Sequence, residues 1–289
     1  MDGRELGTSY TWQAARAAGL TRAGLRDDGV RVTRGAYVSR AIPLTIANAC
    51  RASVPVLPDG AVFSHLTAAA LLGAPVQHAW PLDISVPPGT TRPQRQRIRV
   101  HLRSLGRADV VPLGDLRVTS GAQTLLDLSA VLAPDELVAI GDALCRAGRL
   151  DHDSLGERLR RAHGTRGVVL ARRVAPLLTP LAASRPESLF RYWITDSDLP
   201  DPEVQVPIHD RWGREVAHAD LGYSRWKVAL EYEGRQHADR TQFGRDLERY
   251  SLMAAGGWQL LRFGAPHLRR RQAVIDRVAG ALRSRGARW

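Results

Sequence analysis

Three carboxylates near the end of the chain, Asp220, Glu231 and Glu233, have the spacing of a cation site built on paired strands. The segments REVAHADLGY and WKVALEYE both alternate in the manner of strands, so parity assigns their side chains to faces. His218 and Asp220 share one face, with Ala217, Ala219 and Leu221 on the other; Lys227, Ala229, Glu231 and Glu233 share a face opposite Trp226, Val228, Leu230 and Tyr232. If Ser224-Arg225 makes a two-residue turn, Asp220 falls opposite Ala229 and Glu231 becomes its diagonal neighbour, about 7–8 Å away between backbones. Carboxylates crowded on a half-buried face repel one another unless positive charge neutralises them. An all-oxygen donor set of this kind suits Mg²⁺ or Mn²⁺, with waters and a phosphate completing the octahedron.

The elements that must position these groups follow one another without a gap. A helix is predicted from Arg185 to Thr195, then a strand in EVQVPIH, a turn at DRWG, the two strands above, a helix from about Asp239 to Ala255 stopped by Gly256-Gly257, the strand WQLLRF and a basic last helix. Ser184-Arg185-Pro186-Glu187 reads as a capping box in which Glu187 reaches back to the Ser184 amide.

Asp220, followed eleven residues later by Glu231-Tyr232-Glu233, resembles the D…(D/E)-x-K core of the restriction-endonuclease-like PD-(D/E)xK nucleases. More narrowly, AHADLGY…VALEYEGRQH…RDLERYSLMAAGGWQLLRF is similar to the DUF559 domain, relatives of the very-short-patch-repair endonucleases, over residues 181–289. The resemblance implies a C-terminal restriction-endonuclease-like α-β-β-β-α-β core that hydrolyses DNA phosphodiester bonds with Mg²⁺ or Mn²⁺, in repair or phage defence. It implies that Asp220 and Glu231 ligate the metal with the carbonyl of Tyr232, and that Glu233 orients or deprotonates the attacking water. Glu187 matches a helix carboxylate that supports the metal through water, and His237 matches a histidine that protonates the leaving oxygen or grips a phosphate. Arg245 and Asp246 match the family's R-D pair, which on a helix also reads as a surface ion pair. Glu233 stands where the superfamily pattern has lysine, so the usual ammonium is absent there.

Further upstream, residues 1–45 have the pattern of a winged helix-turn-helix. Thr11 caps one short helix that ends at Gly19, Thr21 caps a second that ends by Gly29, and VRVTRGAYVSR forms a hairpin around Arg34-Gly35. Arg22, Arg26, Arg31 and Arg34 would meet phosphates or base edges in that arrangement; the alternative is a small lid. Residues 46–175 read as an α/β middle region. Its expected elements are a helix over Phe63–Leu72, strands at Leu82–Val86 and Ile98–Leu102, and helices at Thr119–Leu132 and Pro134–Ala147. Arg97, Arg99 and Arg103 would share one strand face there, either solvated or facing nucleic acid. The helix-turn-helix with RGAYVSR, followed by SHLTAAALLG, is similar to the antitoxin component of abortive-infection toxin–antitoxin systems, which implies a DNA-binding, autoregulatory N-terminal half. It does not identify a cognate toxin.

The whole is therefore expected to be a multidomain α/β protein of 289 residues. A net charge of +12 favours an anionic partner, nucleic acid first, although an arginine- and alanine-rich composition also follows from a GC-rich genome. No apolar run approaches the roughly 18–20 residues that span a bilayer, the start MDGRELGTSY lacks the pattern of a signal peptide, and two distant cysteines make neither a disulfide framework nor a zinc ribbon. These features read as cytoplasmic, with no membrane partner. One Asp220–Glu231 site cuts one strand at a time, so double-strand cleavage requires a homodimer or two turnovers. The competing reading is a non-enzymatic DNA-binding regulator on a degenerate nuclease fold; an RNA-cleaving toxin would share the metal site.

Overall fold

Thr11 and Thr21 do cap the first two helices, each hydroxyl accepting an amide hydrogen from three residues on, Ala14 and Gly24, at 3.1 Å. The computed structural model describes residues 7–76, 80–210, 212–234 and 240–289, with the backbone alone for 240–247. It divides into two compact units, Met1–Leu132 with Ala147–Pro176, and Ala133–Arg146 with Leu177–Trp289. Residues 1–45 and 46–175 thus share a unit, except that the helix at 134–146 belongs with the C-terminal one.

In the first unit, β1 (Ser9–Thr11), α1 (Trp12–Ala17), α2 (Arg22–Asp28), β2 (Gly29–Thr33) and β3 (Ala36–Ser39) follow in order. Gly19 and Gly35 take positive φ where the chain must reverse. The hairpin of β2 and β3 gains β1 as an added strand, giving the order β1-β3-β2, which the polar sequence before Thr11 does not announce. Tyr10, Ala15, Leu20 and Leu25 form a small core beneath, against Trp12 and Tyr37.

After α3 (Ile46–Ser53) come β4 (Val62–Phe63), α4 (His65–Leu71), β5 (Leu82–Val86), β6 (Ile98–Leu102), β7 (Val110–Leu113), β8 (Leu116–Thr119) and α5 (Gly121–Leu128). The five strands make one mixed sheet, ordered β6-β5-β4-β8-β7. β5 and β6 lie where alternation predicts, while β4, β7 and β8 are too short to show a period. The arginine face of β6 is neither simply solvated nor free: Arg99 and Arg103 approach the buried carboxylates of Asp83 and Asp127 at 3.5 and 3.2 Å. After α6 (Pro134–Arg146), which falls in the second unit, α7 (His152–Arg160) and α8 (Val168–Val174) complete the first.

The second unit continues with α9 (Arg185–Thr195), β9 (Glu203–His209), β10 (Glu215–Tyr223), β11 (Val228–Glu233), α10 (Arg240–Ala255), β12 (Gln259–Gly264) and α11 (Arg271–Ser284). The sheet order is β12-β11-β10-β9, antiparallel except that β12 runs parallel to β11 through the α10 crossover. Phe190 of α9 packs on Tyr232 and Phe263, whereas Met253 of α10 packs with Ala229, Val206 and Ile208. Residues of opposite parity on β11 meet α9 and α10, so the two helices cover opposite faces. Among the described residues no helix is long and apolar enough to cross a membrane.

A buried ion pair fastens α6 to α9. Arg191 donates to both oxygens of Asp142 at 3.1 and 2.8 Å, and Asp142 also accepts the Thr179 amide at 2.8 Å. Asp142→Ala strands the Arg191 charge and is expected to cost about 3–5 kcal/mol, read as a lower urea midpoint. Asp142→Leu combined with Arg191→Met should recover part of that loss.

Candidate active site

The α9 end of the site is fixed by its cap. Ser184 Oγ accepts the Glu187 amide at 3.4 Å and donates to Glu187 Oε1 at 2.7 Å. Glu187 Oε2 accepts from the Ala183 amide at 2.8 Å and from Gln205 Nε2 at 3.4 Å. Glu187 does reach back, then, but to the amide one residue earlier than the Ser184 amide that the capping-box spacing predicts.

The two central strands depart from the simplest register. Ser224–Trp226 forms a 3-10 turn and Lys227 takes φ +52, so the connection spans four residues rather than two. Glu203 stabilises it by accepting from the Ser224 amide and hydroxyl at 2.8 and 2.6 Å. Leu221 consequently pairs with Leu230 and Gly222 with Ala229. Continuing that register puts Asp220 across from Glu231 itself, not across from Ala229.

At that point β10 and β11 part. Their ladder covers Leu221–Tyr223 only, although β10 stays paired with β9 and β11 with β12. Asp220 Oδ2 accepts the Tyr232 amide at 2.9 Å in place of a backbone carbonyl. Alternation also slips here. Ala219 packs with Ala229 and Met253, the side that strict parity denies it, and Gln205 on β9 sits at φ +53. Asp220 therefore stands in a notch at the sheet, between the α9 carboxylate and the α10 face.

Asp220 acts electrostatically on carboxyls from two other elements, Glu187 of α9 and Glu231 of β11. Burial raises the Glu187 pKa, its Ser184 hydrogen bond opposes the rise, and the Asp220 charge adds to it. Burial raises Asp220 as well, offset by the Tyr232 amide and by Arg249. Glu231, only 6% exposed, is raised by burial and by Asp220 and lowered by Arg249. Neighbouring carboxyls whose pKa values are raised by burial and by one another's charge cluster at functional sites, although structural ion-pair networks raise them too.

Positive charge comes from two residues that local spacing does not point to. Arg249 of α10 grips Glu231 with two parallel bonds of 2.8 and 2.9 Å. Arg262, the β12 partner of Glu231 in register, instead bonds Glu233, which also accepts from the Tyr250 hydroxyl at 3.1 Å. The parallel register of β11 and β12 is the signal that could have found Arg262; nothing in the spacing singles out Arg249.

The remaining expected residues divide. Tyr232, expected to offer its carbonyl, meets Asp220 through its N–H. His218 lies 3.3 Å from Glu215, a surface pair outside the notch. His237 and the side chains of Arg245 and Asp246 lie outside the described residues.

Partly buried carboxylate oxygens are the donor type of a hard divalent cation, but at Glu231 and Glu233 arginine supplies the positive charge. Among the described residues no three His, Cys, Asp or Glu side chains converge closely enough to hold one. Asp220 and Glu231 face each other across the end of the ladder, and Arg249 occupies both oxygens of Glu231.

No family model matches the chain. It is 30% identical over 205 residues to "Uncharacterized protein Rv2248" and to "Uncharacterized protein MT2308", from two strains of Mycobacterium tuberculosis, with 71% of this chain and 74% of each of theirs aligned. The chain belongs to the family of these mycobacterial proteins. The crystal structure of RV2827C protein from Mycobacterium tuberculosis matches with a TM-score of 0.42 at 16% identity, covering 72% of this chain and 81% of that one. A likeness of that degree bears on neither the site nor its function.

Because Asp220 titrates higher in the folded chain than in the unfolded one, the fold binds more protons between the two values. Its contribution to stability is best at low pH and falls as pH rises from about 4 through the raised value. Asp220→Asn keeps an acceptor for the Tyr232 amide and removes that cost. Thermal melts should show a higher Tm at pH 7, on the order of 2–4 °C per kcal/mol relieved, with the gain vanishing below pH 4. A lower Tm at pH 7 would mean that Arg249 already compensates the charge in full.

Proposed function

We propose that the second unit hydrolyses nucleic-acid phosphodiester bonds, DNA first among its substrates, at the notch formed by Asp220, Glu231 and Glu187. The observation that carries this reading is the place of Asp220 at a break in the β10–β11 ladder, where its charge raises the pKa of the buried Glu187 of α9 and the buried Glu231 of β11. The order α9-β9-β10-β11-α10-β12 agrees with the restriction-endonuclease-like core that the sequence resembles. Asp220 and Glu231 would hold Mg²⁺ or Mn²⁺, which supplies Lewis-acid stabilisation of charge on the phosphate. Glu187 fixes the acidic wall through its cap, and Glu233 would accept a proton from water once Arg262 turns aside. Arg249 acts as the counter-charge to Glu231 and opposes the rise that burial imposes on its pKa.

We further propose that residues 8–39 form the winged helix-turn-helix that delivers this unit to DNA. Arg22 and Arg26 are exposed on α2, and Arg31 and Arg34 are exposed on the hairpin. Replacing Arg22 or Arg26 by alanine should weaken duplex binding on every sequence and lower the salt slope by roughly one for each phosphate no longer engaged.

A second reading has its own support. Arg249 and Arg262 already neutralise Glu231 and Glu233, as they would in a fold that binds DNA without cutting it. Supercoiled plasmid and single-stranded DNA, incubated with Mn²⁺ or Mg²⁺, separate the two. The nuclease reading expects nicking that chelator and Asp220→Ala both abolish, together with a Mn²⁺-dependent rise in Tm that the variant lacks. Duplex binding that persists in chelator, with no cleavage and no metal-dependent Tm shift, is the outcome of the regulator.

A further inference from the structure

The first unit carries a cavity of about 570 Å³ at the end of the five-stranded sheet, between the β5–β6 loop and the segment after β6. Small-molecule sites generally fall within about 300–1,000 Å³. Three arginines line it, Arg103, Arg107 and Arg117, and no acidic residue does. Among the described residues, the Arg107 and Arg117 side chains make no hydrogen bond or ion pair, so their charge is available to an anion.

Arg103 is held differently. Its Nε contacts Asp127 Oδ1 at 3.2 Å, which leaves its two terminal nitrogens without a partner among the described residues. Asp127 is fully buried and is itself fixed, accepting from Gln123 Nε2 at 2.8 Å, while Gln123 Oε1 accepts from Arg158 at 2.6 Å. The rim segment is fixed as well, because the buried Asp109 accepts the Gly106 amide at 2.9 Å and pairs with Arg158 and Arg161 at 3.2 and 3.1 Å. A guanidinium oriented from behind and a rim tied down in advance are what anion recognition needs, since little ordering is left to be done on binding.

The floor carries strain that packing does not require. Ser85 lines the cavity and donates to Ser64 at 2.9 Å, and His65 Nδ1 lies 3.0 Å from the same Ser64 hydroxyl. His65 is buried at φ +51, where a side chain other than glycine is strained, and its ring stacks on His101 at 3.6 Å. Asp127 Oδ2, 3.9 Å from His65, is buried with no hydrogen-bond partner. A strained histidine beside an orphaned carboxylate oxygen costs stability, and such costs concentrate at functional sites.

The remaining walls are apolar, with Val62 and Val86 on one side and Leu105 and Val110 on another. We propose that this cavity binds a nucleotide, its phosphates on Arg103, Arg107 and Arg117 and its base against the valine and leucine walls. Asp127 is then a positioning residue that acts through Arg103.

Calorimetric titration of the full chain with the four ribonucleoside triphosphates tests this, with inorganic phosphate, the nucleosides and a short DNA duplex as further arms. At least one nucleotide should bind saturably, at least about tenfold tighter than phosphate or its nucleoside, and about tenfold weaker to Arg117→Ala and to Arg103→Ala. Arg117 is exposed on β8, so its variant tests the site without touching the core. No binding by folded wild type, binding unchanged in Arg117→Ala, or duplex binding that Arg117→Ala weakens while no nucleotide binds would each overturn the proposal.

Discussion

A carboxylate taken out of water has to be met by hydrogen bonds or by opposite charge, and in this protein arginine meets most of them. Asp142 has Arg191, Glu231 has Arg249, Asp127 has Arg103, and Asp109 has Arg158. In a chain whose one lysine is Lys227, the basic excess is an arginine excess. Arginine suits this work because its planar fork spans two carboxylate oxygens and it does not lose its proton when buried. Asp142 and Arg191 use this to dock α6 on α9. At Glu231 the same chemistry neutralises a site that sequence alone assigns to a metal.

That difference explains what was legible in the residues and what was not. The central strands of the second unit and the Asp220–Glu231 neighbourhood follow from alternation, because a period of two assigns faces before any register is known. Register itself depended on the Ser224–Lys227 turn. No Gly or Asn at its tip announced the left-handed Lys227, so the pairing slid by two residues and brought Asp220 across from Glu231. A slip of two preserves the face, so Asp220 and Glu231 remain neighbours in the observed register. Arg249 was not legible, since it lies on the crossover helix and reaches Glu231 only through tertiary packing. In the first unit, β4, β7 and β8 are two to four residues long, too short to carry a period. The capped helices at Thr11 and Thr21 could be read because a hydroxyl three residues before its amide is a purely local signal.

The arginine run at 97–103 shows the same limit from the other side. Read locally, Arg99 and Arg103 form an exposed basic face, because nothing near them in sequence is acidic. Their partners, Asp83 and Asp127, arrive from β5 and α5, at separations of 16 and 24 residues. The charge that looked available for nucleic acid is in part committed to the fold, while Arg107 and Arg117, outside that run, remain uncommitted among the described residues.

The two units thus treat unfavourable groups in different ways. In the second, the cost is electrostatic: the Asp220 charge raises Glu187 and Glu231, and the Arg249 guanidinium opposes the rise at Glu231 and at Asp220. In the first, the cost is steric and polar: His65 is held left-handed against His101, and Asp127 Oδ2 goes unbonded although Arg103 meets the other oxygen. Strain of that kind persists only where surrounding contacts over-determine it, here the Ser64–Ser85 and Gln123–Asp127 bonds. The network fixed behind Arg103 leaves its outer edge in the cavity wall.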